Sequence, residues 1–173
     1  MPSLPPITRA LILFCVALFA LQVLAGSWLE QWLALWPVAS GIFMPWQLLT
    51  YGALHGDFWH LLLNMLGLWM FGSDLERLWG QRRYIHYILA SVLAAAITQV
   101  AWSWFVGSMA PTVGASGAIF GLLLAYGMTF PNRMVMLLIP PIPMKAKYFV
   151  MVYAAVELYF GLNSRDGIAH FAH

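Results

Sequence analysis

Residues 84–132 read YIHYILASVLAAAITQVAWSWFVGSMAPTVGASGAIFGLLLAYGMTFPN, without a single Asp, Glu, Lys or Arg. A membrane-spanning helix needs roughly 20 apolar residues, so this run is too long for one helix. Val106-Gly107 through Pro111-Thr112 supply the break, which predicts two spans, 84–105 and 116–130. Working outward, 10–29 is uncharged after Arg9. A span at 58–73 ends on the charged turn Asp74-Leu75-Glu76-Arg77. Another at 148–162 follows a loop holding Pro131, Arg133, Pro140, Pro141, Pro143, Lys145 and Lys147. A sixth apolar segment starts at 168. The expected fold is an all-α polytopic membrane protein with a single domain over 1–173.

The composition agrees: 62% of the 173 residues are hydrophobic and 8% charged, where a soluble domain carries about 25% charge. A water-facing globule, a disordered chain and a nucleic-acid binder are excluded. Cys15 is the only cysteine, so an internal disulfide is excluded too. The basic flank and apolar run at 10–29 resemble a signal peptide, but Val23-Leu24-Ala25 is a poor cleavage site and further spans follow, so a retained helix is expected. In the next connection Trp28, Trp32 and Trp36 recur every four residues, as on one face of a helix lying in the membrane interface; core packing is the alternative. Lys and Arg in alternate loops set orientation. Arg9, Arg77, Arg82, Arg83, Arg133, Lys145 and Lys147 fall on one side and Arg165 on the other, which predicts a cytoplasmic N-terminus. Spans two, four and six then enter from the outer face. The last segment ends six residues in, at His173, placing an α-carboxylate about 9 Å along a helix entering lipid. The natural chain is therefore expected to continue.

Polar groups inside a bilayer need a partner or a purpose, and they concentrate in the outer halves of spans two, four and six. His60 and Asn64 stand four apart on one helical face. Ser116 opens the fourth span within Gly114-Ala115-Ser116-Gly117, and His170 and His173 lie on the sixth segment. A serine hydroxyl becomes a nucleophile when a histidine takes its proton. His60, Asn64 and the Ser116 N–H could stabilise the resulting oxyanion. No Asp or Glu lies in the outer parts of these spans to orient the base, so a Ser–His dyad fits better than a triad. Gly117 and Gly121 form a small-xxx-small face for a partner helix. Each piece also has a plain reading: a local hydrogen bond for Ser116, packing for the glycines, an interhelical bond for His60 and Asn64.

Together these residues resemble the rhomboid intramembrane serine proteases. The run 114–121 is similar to the rhomboid nucleophile motif, and His60-Leu61-Leu62-Leu63-Asn64 to its His-x-x-x-Asn motif. Ala169-His170-Phe171-Ala172-His173 is similar to the start of the sixth helix. Trp46-Gln47, His55, Glu76-Arg77, Gly80 and Arg83 match common rhomboid positions, although Gln47 stands where some members have arginine. The resemblance implies a six-helix core whose sixth helix is cut at His173. It implies Ser116 as nucleophile, His173 rather than His170 as general base, and His60 and Asn64 in the oxyanion hole. It implies Gly114, Gly117 and Phe120 as substrate- and oxyanion-binding residues, Phe120 falling where relatives pack an aromatic ring on the catalytic imidazole.

The function expected is a serine endopeptidase that cleaves single-span membrane proteins near the non-cytoplasmic surface, without cofactor, metal or nucleic acid. It would sit in the bilayer of a bacterial inner membrane. An inactive rhomboid-like escort is the alternative. A GxSxG esterase elbow is disfavoured because position 118 is alanine. A metal site built on His55, His60, His170 and His173 lacks a carboxylate or thiolate at the same depth. Glu157 lies within the fifth span, where an acid is a functional candidate by default; the plain reading, that it stays protonated or reaches the outer interface, is preferred.

Overall fold

A computed structural model describes residues 3–136 and 142–163, with side chains through residue 155. Helix α1 (Pro6–Ala25) is followed by the short α2 (Ser27–Leu33) and α3 (Gln47–Thr50). Helix α4 (Phe58–Gly67) passes through a π-helical turn, Leu68–Gly72, into α5 (Ser73–Trp79). Then come α6 (Gln81–Val106), α7 (Ser116–Thr129) and α8 (Ala146–Asn163). The chain is mostly helical, but not wholly so. Between α7 and α8 a two-stranded antiparallel hairpin pairs β1 (Met134–Met136) with β2 (Pro143–Lys145), Val135 opposite Met144.

Among the described residues, α1 and α6 are long and apolar enough to cross a bilayer; at 1.5 Å per residue the 26 residues of α6 reach about 39 Å. Helix α7 is the hub. Gly117, Ala118, Ile119, Leu122, Leu123, Ala125 and Tyr126 are buried in it, in one core with Leu68, Phe71, Leu75, Tyr84, Ile88 and Val92. Close approach to α6 depends on Gly121: a methyl group there would overlap the Ser91 side chain, and the Gly121 carbonyl accepts a 2.7 Å bond from the Tyr87 hydroxyl. Gly121 of the expected glycine face is thus a packing position. Many large apolar side chains face outward, with Leu24 83% and Phe105 81% exposed. Hydrocarbon is the solvent that tolerates such a surface.

Three expectations are corrected. The first span runs 6–25 rather than 10–29. Pro6 suits the opening turn, and the backbone N–H groups of Ile7 and Thr8 donate to the Glu76 carboxylate at 2.9 and 2.7 Å. The Thr8 hydroxyl adds a 2.8 Å bond, so a buried carboxylate caps this helix from another part of the chain. Second, Asp74 to Arg77 is not a turn. The π-helical turn carries the helix on through α5, and Glu76 is buried, facing α1. Third, the tryptophan stripe is broken. Helix α2 ends at Leu33, and Leu35 forms an isolated antiparallel bridge with Thr112, so Trp36 does not share a helical face with Trp28 and Trp32.

Candidate active site

The loop from 34 to 57 is held by neutral side chains. Gln47 is fully buried. Its carbonyl accepts from the Trp36 and Met44 N–H groups at 3.3 and 3.1 Å, and its amide donates to the Trp32 and Ile42 carbonyls at 3.4 and 3.3 Å. The Thr50 hydroxyl donates to the Leu33 carbonyl at 2.7 Å. This frame ends at Tyr51, whose carbonyl accepts from the Gly114 N–H at 3.0 Å and whose hydroxyl donates to the Val92 carbonyl at 2.9 Å. The segment leading into α7 is thereby fixed against α6 and the loop.

Asp57 starts α4 as its N-cap, accepting from the His60 N–H at 2.9 Å. One turn on, the Asn64 amide donates to the His60 carbonyl at 2.8 Å, which leaves its second N–H for another acceptor. The His60 Nδ1 accepts a long bond, 3.4 Å, from the Gly56 N–H. A nitrogen that accepts carries no proton, so in neutral His60 the proton sits on Nε2.

That Nε2 edge lies against Gly114. A methyl group built on Gly114 would sit 2.7 Å from His60 Nε2, 2.6 Å from Cε1 and 3.6 Å from the Ser116 Oγ. The φ of Gly114 is +129°, a conformation side chains rarely adopt. Glycine is required here twice, by backbone conformation and by the imidazole against it. Ser116 is the first residue of α7, so its backbone N–H belongs to the opening turn, at the positive end of the helix dipole.

His55 is the second imidazole of the region. Its ring meets that of His60 edge to face at 5.3 Å, it is 1% exposed, and neither ring nitrogen has a hydrogen-bond partner among the described residues. Burial, then the neighbouring His60, lowers its pKa from 6.5 to about 4. Its backbone is clasped by Gln22 of α1: the His55 N–H donates to Oε1 at 3.1 Å, and Nε2 of Gln22 donates to the His55 carbonyl at 3.2 Å. A cavity of about 310 Å³ opens beside it, lined by Phe19, Gln22, Glu30 and Val113 among others.

The structure thus brings together His60, Gly114 and Ser116, with Asn64 one turn along α4 and the buried Gly117 next along α7. Phe120 packs against Tyr153 of α8, ring centroids 5.4 Å apart. His170 and His173 lie outside the described residues, as does the side chain of Glu157. Asp57, Gln22 and Tyr51 were not singled out from sequence. Asp57 before an apolar helix is a cap signal, and Gln22, a lone amide in an apolar span, is a polar group in need of a reason. Nothing local marks Tyr51. No group of three or more His, Cys, Asp or Glu able to hold a metal occurs among the described residues.

The protein is helical and exposes many large apolar side chains, and it sets a serine at a helix start beside a histidine and a constrained glycine. Residues 43–173 match the Rhomboid domain family. The chain is 33% identical over 94 residues to the mitochondrial Rhomboid protein 1 of Saccharomyces cerevisiae. It is 42% identical over 78 residues to rhomboid protease GluP of Bacillus subtilis and 30% identical over 122 residues to rhomboid protease GlpG of Klebsiella pneumoniae. These alignments cover 51%, 45% and 68% of the chain, and 26%, 14% and 41% of those proteins. The chain belongs to the rhomboid family and is an integral membrane protein.

Proposed function

We propose that the protein is an intramembrane serine endopeptidase acting on single-span membrane proteins. The observation that carries this reading is the convergence of the His60 Nε2 edge and the Ser116 hydroxyl on Gly114. Ser116 attacks the scissile carbonyl while His173, in the family's base position, takes the hydroxyl proton. The oxyanion is met by the Nε2–H of His60, the second N–H of Asn64 and the Ser116 backbone N–H. The imidazolium then protonates the leaving amine, and water hydrolyses the acyl-enzyme. Asp57 caps α4 through the His60 N–H and does not orient a base, which supports a dyad.

The architecture proposed with this chemistry is one domain, a six-helix rhomboid core whose sixth helix begins near 168. The N-terminus lies in the cytoplasm, and Ser116 opens toward the non-cytoplasmic face of a bacterial inner membrane. Substrate helices that unwind near that surface are favoured, because a hydrogen-bonded helix hides its carbonyls from attack.

The test is cleavage of a single-span reporter in proteoliposomes, paired with fluorophosphonate labelling. Ser116→Ala and His173→Ala are expected to abolish cleavage with helicity and thermal midpoint retained. Asn64→Ala lowers turnover more than binding. Turnover by Ser116→Ala at the wild-type rate, or failure of the wild-type protein to take the label, would overturn the reading; the second result would favour a helix-binding escort.

A further inference from the structure

At the end of α7 remote from Ser116 lies a second cavity, about 570 Å³, between the π-helical turn, α5, α7 and β1. Its lining is amphipathic. Ser73, a buried polar residue at 4% exposure, is among the lining residues. Its Oγ has no hydrogen-bond partner among the described residues, an arrangement that costs free energy unless something fills it. Two guanidinium groups flank the cavity. Arg133 Nη1 meets Asp74 at 2.9 Å and Arg77 Nη1 meets the same carboxylate at 3.4 Å, with the two side chains 50% and 41% exposed. Arg77 Nη2 also donates to the Ser3 carbonyl at 3.0 Å, and the Tyr126 hydroxyl to Asp74 at 3.4 Å.

Two cations therefore share one anion, and each guanidinium has five N–H donors, so positive charge and donors remain in surplus. Arg133 is held in place by the Phe130 ring, 5.3 Å from its guanidinium carbon. Beside these groups Trp69, Met134 and Met136 are 49%, 58% and 57% exposed, an apolar rim continuous with the lipid-facing surface. The same end carries Lys145 and Lys147, with Arg82 and Arg83 just past α5.

We propose that this cavity is a binding site for an anionic phospholipid. The phosphate diester accepts from Arg77, Arg133 and the Ser73 hydroxyl, and an acyl chain lies along Trp69, Met134 and Met136. Basic pockets between helices at the cytoplasmic surface suit such headgroups. A freely soluble phosphate would satisfy the donors but not the rim, so the lipid is the occupant the lining fits. The leaflet assignment rests on the orientation proposed above; binding at the cavity does not depend on catalysis.

The experiment adds phosphatidylglycerol to the delipidated full-length protein in a neutral maltoside detergent, and follows the thermal midpoint and the lipid retained in native mass spectrometry. Phosphatidylglycerol is expected to raise the midpoint and remain bound, while phosphatidylcholine does neither. In an Arg77→Gln, Arg133→Gln double variant the apparent affinity falls about tenfold to a hundredfold, as the loss of charge-assisted hydrogen bonds demands. Ser73→Ala, which keeps both charges, gives a smaller loss and covers the case in which the double variant does not fold. A Lys145→Gln, Lys147→Gln variant removes the same charge from the same end outside the cavity and is expected to retain binding. Equal loss in that control, or retention in the arginine and serine variants, would overturn the site. Reproduction of the shift by glycerol 1-phosphate alone would overturn the lipid as its occupant.

Discussion

At the Ser116 end of α7 the irregular backbone is met by neutral groups: Gln47 serves four partners, Thr50 and Tyr51 one carbonyl each, and Gln22 clasps His55. At the opposite end the work falls to ions: Glu76 caps α1, and Asp74 gathers Arg77 and Arg133. The difference is one of electrostatic tolerance. In the proposed mechanism an oxyanion develops beside His60, where fixed dipoles would stabilise it and a facing carboxylate would oppose it. Asp57, the carboxylate nearest in sequence, is engaged by a backbone N–H. At the other end no such charge develops, and long cationic side chains can reach the headgroups.

The contrast can be broken at Gly114. Gly114→Ala must displace the His60 ring and strain the backbone, so cleavage of the reporter is expected to fall about 10²–10³-fold, comparable to losing an oxyanion donor. Near-native turnover would show that His60 does not need its position. A paired measurement sharpens the comparison next. Glu76→Ala leaves two backbone donors and a threonine without their charged acceptor and should cost about 3 kcal/mol in reversible unfolding. Gln47→Leu, which removes neutral bonds, should cost about 2 kcal/mol. The reverse ranking would mean that the ionic end is the weaker clamp.

A third test is in pH. His55 holds its proton only below about pH 4 in the folded protein, against 6.5 for the free group. Between these values the unfolded chain binds the proton and the native chain does not. Stability is therefore complete above 6.5 and declines as the pH falls toward 4. His55→Gln should flatten that part of the unfolding profile; an unchanged slope would assign the decline to other groups.

Much of this was legible from the chain. The charge-free run placed α6, Gly107 and α7 because apolar length and a glycine break are local signals. The i, i+4 spacing of His60 and Asn64 survives as one face of α4. What failed depended on distant partners. Asp74 and Glu76 read as a turn because charges normally stop a span, yet Glu76 is buried by donors from α1, and no pattern around residue 76 announces that. The tryptophan repeat implied a longer helix, but the bridge to Thr112 pulls Leu35 straight. Likewise Ser116 and Gly114 were visible as a motif, whereas the imidazole pressed on Gly114 becomes visible only when α4 and α7 are side by side.

The cap on α1 carries a consequence for biogenesis. Thr8 and its acceptor Glu76 are separated by 68 residues, while α1 itself buries only Thr8 and Cys15. At a synthesis rate of about 5–20 residues per second, the first helix waits roughly 3–14 s with its leading amides met by water at the membrane surface instead of by Glu76. Its docking onto the bundle is therefore a late event, timed by the ribosome's arrival at α5 rather than by insertion of α1.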